Sequence, residues 1–350
     1  MSKPHHILVI RLSALGDVAM TVPVLRVLIQ TYPELKLTIV SRAFFKPLFE
    51  ELSNLNFLEA DVYGKHKGMG LLKLAKRGRA LGIDAIADLH SVIRSILITK
   101  YLGFQGIKTA TIDKGRAEKK ALVRSENKVF HPLKTTHQRY ADVFTKLGLP
   151  IDLETHRFPD RKKLTPRLNA LIGAEPKKLI GIAPFAAFKS KMYPLKLMKE
   201  VITQLDALQK YRIFLFGGGD HEISTLKKIE NHFQSVTSIA GALTFEEELG
   251  LISNLDVMLS MDSGNGHLSA LYGVPTVTLW GVTHTYAGFK PFMQPKENQL
   301  FADRNKYPLL PTSVYGNKFP KGYEKAMETI APSEVVNKVL EILKNNLSVK

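Results

Sequence analysis

The segment Met261-Asp262-Ser263-Gly264-Asn265-Gly266-His267-Leu268-Ser269-Ala270 sets a carboxylate, a hydroxyl, two glycines and an imidazole close together. It follows an apolar run, Val257–Ser260, and opens a helical stretch, His267–Tyr272, ended by Gly273. Small residues let a ligand reach the backbone. Free N–H groups at the positive end of a helix dipole bind anions. The same residues suit a tight strand-to-helix turn capped by Asp262, since glycine-rich turns are common in α/β folds. A second segment, Arg11-Leu12-Ser13-Ala14-Leu15-Gly16-Asp17, places a carboxylate just past a strand and at the start of a helix. Ligands of open α/β sheets bind beyond the carboxyl ends of the strands, so Asp17 could be a general base. Its competing role is a helix-start Asp favoured by the dipole. A third, Phe188-Lys189-Ser190-Lys191-Met192-Tyr193-Pro194, sets two lysines before a helix-starting proline. They suit a diphosphate, or they point outward from a solvated turn.

Basic residues crowd another region. Lys65, His66, Lys67, Lys73, Lys76, Arg77 and Arg79 lie within positions 62–83, which hold no acidic residue, and Arg94 and Lys100 follow. The run from Lys73 to Arg79 reads as the solvated face of a helix. Lys65, Lys67 and Arg94 fall nearer strand ends and could grip an anionic acceptor.

Other chemistries are excluded by what is missing. The chain has no cysteine, which removes disulfides, thiolate zinc sites and cysteine nucleophiles. No Gly-x-x-x-x-Gly-Lys-Ser/Thr loop occurs. The run Phe216-Gly217-Gly218-Gly219-Asp220 lacks the Gly-x-Gly-x-x-Gly spacing of a dinucleotide site. There is no Asp-x-Asp, and among 11 histidines only His5 and His6 are close neighbours, so no catalytic metal is expected.

These segments need strands and helices in alternation to hold them. His6–Leu12, Leu37–Val40 and Ala85–Leu89 read as strands, with helices over Asp17–Gln30 and Ser91–Tyr101. Polar, proline-flanked stretches at Asp160–Leu164 and Glu175–Lys178 mark a linker zone. Beyond it, Leu179–Ala183, Arg212–Phe216, Ser235–Ile239, Val257–Ser260 and Thr276–Leu279 read as strands. Pro194–Leu208, Glu222–Phe233 and Phe245–Asn254 read as the helices between them. Alternation of this kind predicts two parallel sheets covered by helices, two α/β domains with a cleft between. A long irregular stretch from Thr283 to Thr329 precedes a last helix, Ser333–Asn345, and loops of that length are uncommon unless functional or mobile.

A length of 350 residues fits two domains, and 45% hydrophobic with 23% charged residues is ordinary globular composition. The net charge is +17, unevenly spread: residues 1–175 hold 29 basic and 16 acidic residues, residues 176–350 hold 20 and 16. The first half is therefore expected to face an anionic partner, nucleic acid, acidic lipid or an acidic small molecule, the alternative being a solubilising surface. No apolar stretch is long enough to span a bilayer, and Ile7–Ile10 is too short for a secretory signal core. The expectation is a cytosolic protein, working at a membrane surface.

Taken in order, these motifs resemble the bacterial heptosyltransferases of lipopolysaccharide core synthesis, glycosyltransferase family 9. The likeness runs from Arg11–Asp17 and Thr21-Val22-Pro23-Val24-Leu25 through Asp88-Leu89-His90, Arg94-Ser95 and His137-Gln138-Arg139-Tyr140. It continues through Lys191–Pro194, Asp262–Ala270 and Leu279-Trp280-Gly281-Val282-Thr283 to Ala326–Val335. The chain departs from the family pattern at Ala186, Ala187, Asn265, Gly266 and Ala326.

The resemblance implies a GT-B fold: a Rossmann-like acceptor domain over residues 1–170 and a nucleotide-sugar domain over 171–330. The helix in 331–350 would pack back on the first. It implies an inverting, metal-independent transferase with no cofactor beyond its substrate, ADP-heptose. Asp17 would be the catalytic base. Lys191, Glu246 or Glu247, Asp262, Ser263, Gly264, Asn265, Gly266 and His267 would bind the donor. Lys65, Lys67, Arg94 and His137 would bind an anionic glycolipid acceptor. The implied enzyme is a monomer at the cytoplasmic face of the inner membrane and takes no nucleic acid. Two other readings stay open: a GT-B transferase with another donor or acceptor, and a non-catalytic binder of an anionic ligand.

Overall fold

The computed structural model describes residues 3–345, divided into two compact α/β units. The first takes the chain up to Gly115 and Lys134–Arg157; the second takes Arg116–Leu133 and the chain from Phe158 onward. A single break near residue 170 is thus corrected to 157/158, with one excursion before it.

In the first unit β1 (His6–Ile10) leads to α1 (Leu15–Ala19) and α2 (Thr21–Thr31), then β2 (Lys36–Ser41) and β3 (Leu55–Glu59). Next come α3 (Gly70–Ala80), β4 (Ala85–Asp88), α4 (Ile93–Gly103) and β5 (Lys108–Thr111). The excursion carries α5 (Arg116–Val123), and α6 (Thr136–Lys146) returns to the first unit. The sheet is parallel, in the order β3-β2-β1-β4-β5. Every residue of β1 is buried, as a central strand covered on both faces requires. The single helix expected over Asp17–Gln30 is two. Pro23 has no N–H to give an upstream carbonyl, so it is accommodated in the first turn of a new helix starting at Thr21.

The second unit runs α7 (Pro166–Ile172), β6 (Lys178–Ala183), α8 (Leu195–Asp206), β7 (Tyr211–Leu215), α9 (Asp220–Glu230) and β8 (Val236–Ser238). It continues with α10 (Phe245–Asn254), β9 (Val257–Met261), α11 (Gly264–Ala270), β10 (Thr276–Trp280), β11 (Gln299–Phe301) and α12 (Pro332–Asn345). Its parallel sheet has the order β11-β10-β9-β6-β7-β8. Counted within the unit, that is the doubly wound order 3-2-1-4-5-6. Both sheets therefore have a switch point, between β1 and β4 and between β6 and β9, where the chain turns to opposite sides. Ligands bind there, beyond the carboxyl ends of the strands.

Three strands that the pattern does not announce, β3, β5 and β11, are all sheet edges. β3 and β5 are partly exposed, and β11 is only three residues long, so none carries the apolar run of a central strand. Segment 116–133 joins the second unit because Leu122 and Leu133 are buried with Ala287, and the Leu133 N–H donates to the Tyr286 carbonyl at 3.0 Å. Helix α12, expected against the first domain, buries Val335, Val339 and Leu343 in the core of the second unit, where it packs on α8 and β9. Residues 346–350 of that expectation lie outside the described residues.

Candidate functional site

At the first switch point, Asp17 occupies the third position of α1. Its Oδ2 lies 2.7 Å from Arg11 Nη2, and the Ala14 N–H donates to the same oxygen at 3.4 Å. Arg11 is itself buried and fixed: Nη1 donates to the Leu89 carbonyl at 2.8 Å, and the guanidinium lies over the Tyr140 ring at 5.8 Å. The Tyr140 hydroxyl donates to the Asp17 carbonyl at 3.2 Å. Asp17 thus makes the helix-start contact expected of it only weakly, and its side chain is gripped instead by a strand-end arginine that was not expected. The arginine contact is the shorter and charged one.

The turn after β4 forms the other wall. Buried Asp88 accepts the N–H groups of His90 (2.9 Å) and Ser91 (2.8 Å), and the Ser95 hydroxyl (3.0 Å). The fixed turn presents His90 Nδ1 to the Leu12 N–H at 3.4 Å. Burial, with the charges of Arg11 and Lys114 nearby, lowers the His90 pKa to about 3, so the ring is neutral at ordinary pH. Burial likewise pushes the Tyr140 phenol well above its ordinary value.

The acceptor candidates sit differently from one another. Arg94, at the start of α4, lies over the Tyr63 ring at 5.0 Å, and Arg42 lies over the same ring at 5.5 Å. Lys65 is exposed and 3.6 Å from Glu59, and Lys67 is exposed. His137 is buried in the first turn of α6, away from solvent, rather than offered on a surface.

At the second switch point, Lys191 closes a short 3-10 turn, Lys189–Lys191, after β6. Its side chain is only 13% exposed, and Nζ lies 2.9 Å from Asp262 Oδ2. The Thr283 hydroxyl donates to that same oxygen at 2.8 Å. Asp262 is therefore not the cap of α11; Ser263 holds the cap position, and no side chain bonds the first-turn N–H groups. The Ser263 hydroxyl is buried and makes no hydrogen bond. His267 is buried in the body of α11.

Two glycines shape this site for steric reasons. A Cβ on Gly266 would come within 2.6 Å of Ser260 Oγ, so its absence lets α11 close on β9. Gly316 has φ +85° and lies against the aliphatic stem of Lys191, leaving no room for a side chain. Its carbonyl accepts the Ser190 hydroxyl. Glu246 and Glu247 separate cleanly. Glu247 is spent on structure: it accepts the Thr244 N–H at 2.8 Å, completing a capping box, and takes Arg167 at 3.1 Å. Glu246 is exposed in the first turn of α10. Among the described residues, no three His, Asp or Glu side chains gather as a metal site.

A sequence profile described as "Glycosyltransferase family 9 (heptosyltransferase)" matches residues 71–318. The chain belongs to glycosyltransferase family 9. This family member is 24% identical over 291 residues, 79% of each chain, to the lipopolysaccharide core heptosyltransferase OpsX of Haemophilus influenzae. It is 25% identical to lipopolysaccharide heptosyltransferase 2 of Escherichia coli, covering 96% of this chain and 98% of that one. Among solved structures, the family 9 glycosyltransferase of Veillonella parvula superposes with a TM-score of 0.76 at 19% identity, covering 99% of both. The E. coli ADP-heptose heptosyltransferase II gives 0.69 at 18%, covering 97% of this chain and 99% of that one. The fold of the family 9 transferase is accordingly GT-B, with a Rossmann-like unit in each half.

Four residues of this transferase escaped the sequence reading as site components: Arg11, His90, Tyr140 and Thr283. Tyr140, His90 and Thr283 bond residues 123, 78 and 21 positions away, and Arg11, although only six positions from Asp17, is fixed by the Leu89 carbonyl 78 positions away. The aspartate-bonded turn around His90 has one cue, the Asp88-x-His90-Ser91 spacing, since aspartate commonly accepts N–H groups two and three residues on.

Proposed function

We propose that the protein is an inverting heptosyltransferase that uses ADP-heptose and a glycolipid acceptor of the lipopolysaccharide inner core. The observation that carries this reading is that each sheet has its ionisable candidate at its switch point: Asp17 in one unit, Lys191 with Asp262 in the other. Membership in family 9 supports the transferase chemistry, and relatives named as ADP-heptose and lipopolysaccharide enzymes support the substrates.

In this mechanism Arg11 and the Ala14 N–H engage Asp17 Oδ2, leaving Oδ1 to take the proton of the acceptor hydroxyl. The oxygen attacks the anomeric carbon from the face opposite the diphosphate. The bond from that carbon to the β-phosphate oxygen breaks, ADP leaves with the electron pair, and configuration inverts. Lys191 neutralises charge growing on the diphosphate, helped by the uncapped N–H groups of 263–267 and the Ser263 hydroxyl. Asp262 and Thr283 hold Lys191 in place rather than touching the sugar. Glu246, not Glu247, binds the ribose, because Glu247 is committed to the capping box and Arg167. Arg94, Lys65 and Lys67 receive the acceptor's anionic groups, and buried His137 supports α6 instead. In this reading the enzyme is a monomer, cytoplasmic and peripheral at the inner membrane, and needs no metal, nucleic acid or cofactor beyond its donor.

Calorimetric titration with ADP-heptose, ADP-glucose, UDP-glucose and GDP-mannose, each in excess EDTA, tests the reading. Saturable binding of ADP-heptose well above the others is the expected result. Preference for another nucleotide sugar would move the protein to a different GT-B specificity. Binding that EDTA abolishes and magnesium restores would sink the metal-free mechanism.

A further inference from the structure

Helix α4 carries apolar side chains on both faces. Ser95, Ile98, Thr99 and Leu102 are buried against the first unit, at the spacing of one helix face. The opposite stripe, Ile93, Leu97, Lys100 and Phe104, faces solvent, with Ile93 78%, Leu97 50% and Phe104 90% exposed. A surface helix ordinarily turns polar residues outward, and a contiguous exposed apolar stripe marks an interaction site. Beside it packs α3, which exposes Lys73, Lys76, Arg77 and Arg79. The two helices carry six basic residues and no acidic one.

We propose that the outward face of α4, flanked by the basic face of α3, docks on an anionic bilayer surface. The charge selects this occupant. A second copy of the same face would set six positive charges against six, and like charges across an interface are costly. A nucleic acid would satisfy the basic residues of α3 but leave Ile93, Leu97 and Phe104 in water. An anionic bilayer satisfies both: apolar side chains enter the boundary between headgroups and acyl chains while lysines and arginines reach the phosphates. With 11 residues, α4 is about 16 Å long, enough to lie in the interface and too short to cross. Among the described residues no helix is long and apolar enough to span a membrane.

The placement also has functional sense, and this step rests on the transferase reading above. Helix α4 starts directly after the turn of Asp88, His90 and Ser91, whose His90 accepts the Leu12 N–H beside Asp17. Docking by α4 would bring the proposed base to the membrane surface, where a lipid-anchored hydroxyl is presented.

The test is flotation of the full chain with vesicles of phosphatidylcholine alone and of equimolar phosphatidylcholine and phosphatidylglycerol, at low and high salt. The expected result is salt-sensitive binding to the anionic vesicles only. Two exposed double variants, Leu97→Ser/Phe104→Ser and Lys76→Glu/Arg77→Glu, should each lower that binding about tenfold or more. Both should keep the wild-type melting temperature and their transfer to a delipidated acceptor. Equal binding to neutral vesicles, no binding to anionic ones, or unchanged binding of Leu97→Ser/Phe104→Ser would each overturn the proposal. So would a concentration-dependent dimer that this variant abolishes, since the face would then be a protein contact. Vesicle binding with no heptose transfer would sink the transferase reading alone; transfer without vesicle binding would sink the docking face alone.

Discussion

Asp17 owes its place to one buried arginine. Changing it to asparagine keeps its size and its weak contact with Ala14 but removes the proton acceptor. We expect Asp17→Asn to fold and bind donor while kcat falls by about 10²–10⁴-fold, as for loss of a general base. Steady-state transfer paired with donor calorimetry checks this, and full turnover in a folded variant would assign the base elsewhere. In the proposed mechanism Lys191 differs in that it acts in ground state and transition state alike. Lys191→Ala should weaken donor binding by about 1.5–3 kcal/mol, the worth of a hydrogen bond to a charged group, and slow turnover as well. Wild-type kinetics would return Lys191 to a structural pairing with Asp262. The two neighbouring glutamates should split by readout. Glu246→Ala should raise the donor Kd with an unchanged melting temperature. Glu247→Ala should lose a capping box and lower the melting temperature at near-normal donor affinity. The reverse pattern would exchange their roles.

Elements decide where these side chains can stand. The 3-10 turn that ends in Lys191 is held from the long irregular segment after β10. Gly316 lies on the lysine stem and accepts the Ser190 hydroxyl, and a Cβ on Gly281 would fall 2.7 Å from Met327 Sδ. That segment therefore braces the turn that carries Lys191 rather than serving as a slack connection. Gly316→Ala should be strained at φ +85° by about 1–2 kcal/mol and should push the lysine stem aside. We expect donor affinity to fall toward that of Lys191→Ala, and the double variant Gly316→Ala/Lys191→Ala to lose little affinity beyond Lys191→Ala alone. A double variant whose donor affinity is lowered by the full sum of the two would show that Gly316 acts independently of Lys191.

At the scale of the whole molecule, burial lowers the pKa of five histidines among the described residues, His6, His66, His90, His156 and His284, the last three the most. The His90 pKa is lowered to about 3, and those of His156 and His284 to about 4, each mainly by desolvation. Unfolding restores each to its ordinary value near 6.5. Between about pH 6.5 and 4 the unfolded chain therefore binds more protons, and stability falls as pH drops through that window. The contribution is complete above pH 6.5 and lost toward the folded-state values. A net charge of +17 adds in the same direction, because further protonation raises self-repulsion. Thermal melts from pH 7.5 to 4.5 should show a steadily falling Tm, with a shallower slope for His90→Gln. A Tm that rises on acidification would mean that these rings gain charge-stabilising partners in the folded state.

Local chemistry in the chain was enough to determine the alternation of strands and helices, the central strands β1, β6 and β9, and the turns that carry Asp17, Lys191 and Asp262. Buried parallel strands are apolar runs, and helix starts have compositional marks, so both are written within a few residues. The resemblance to family 9 was legible because its motifs keep their order along the chain. Tertiary structure alone decided the rest. Edge strands β3, β5 and β11 gain their pairing from a neighbour, not from their own pattern. Segment 116–133 joins the second unit because Leu122 and Leu133 find their apolar partners around Ala287. The proposed choice of Glu246 over Glu247 for the ribose rests on Glu247 holding Thr244 and Arg167. Lys191 reaches Asp262 across 71 positions of sequence, and Arg11 reaches Leu89 across 78. Contacts of that span depend on which strands lie side by side, and sheet order is a property of the whole fold rather than of any segment.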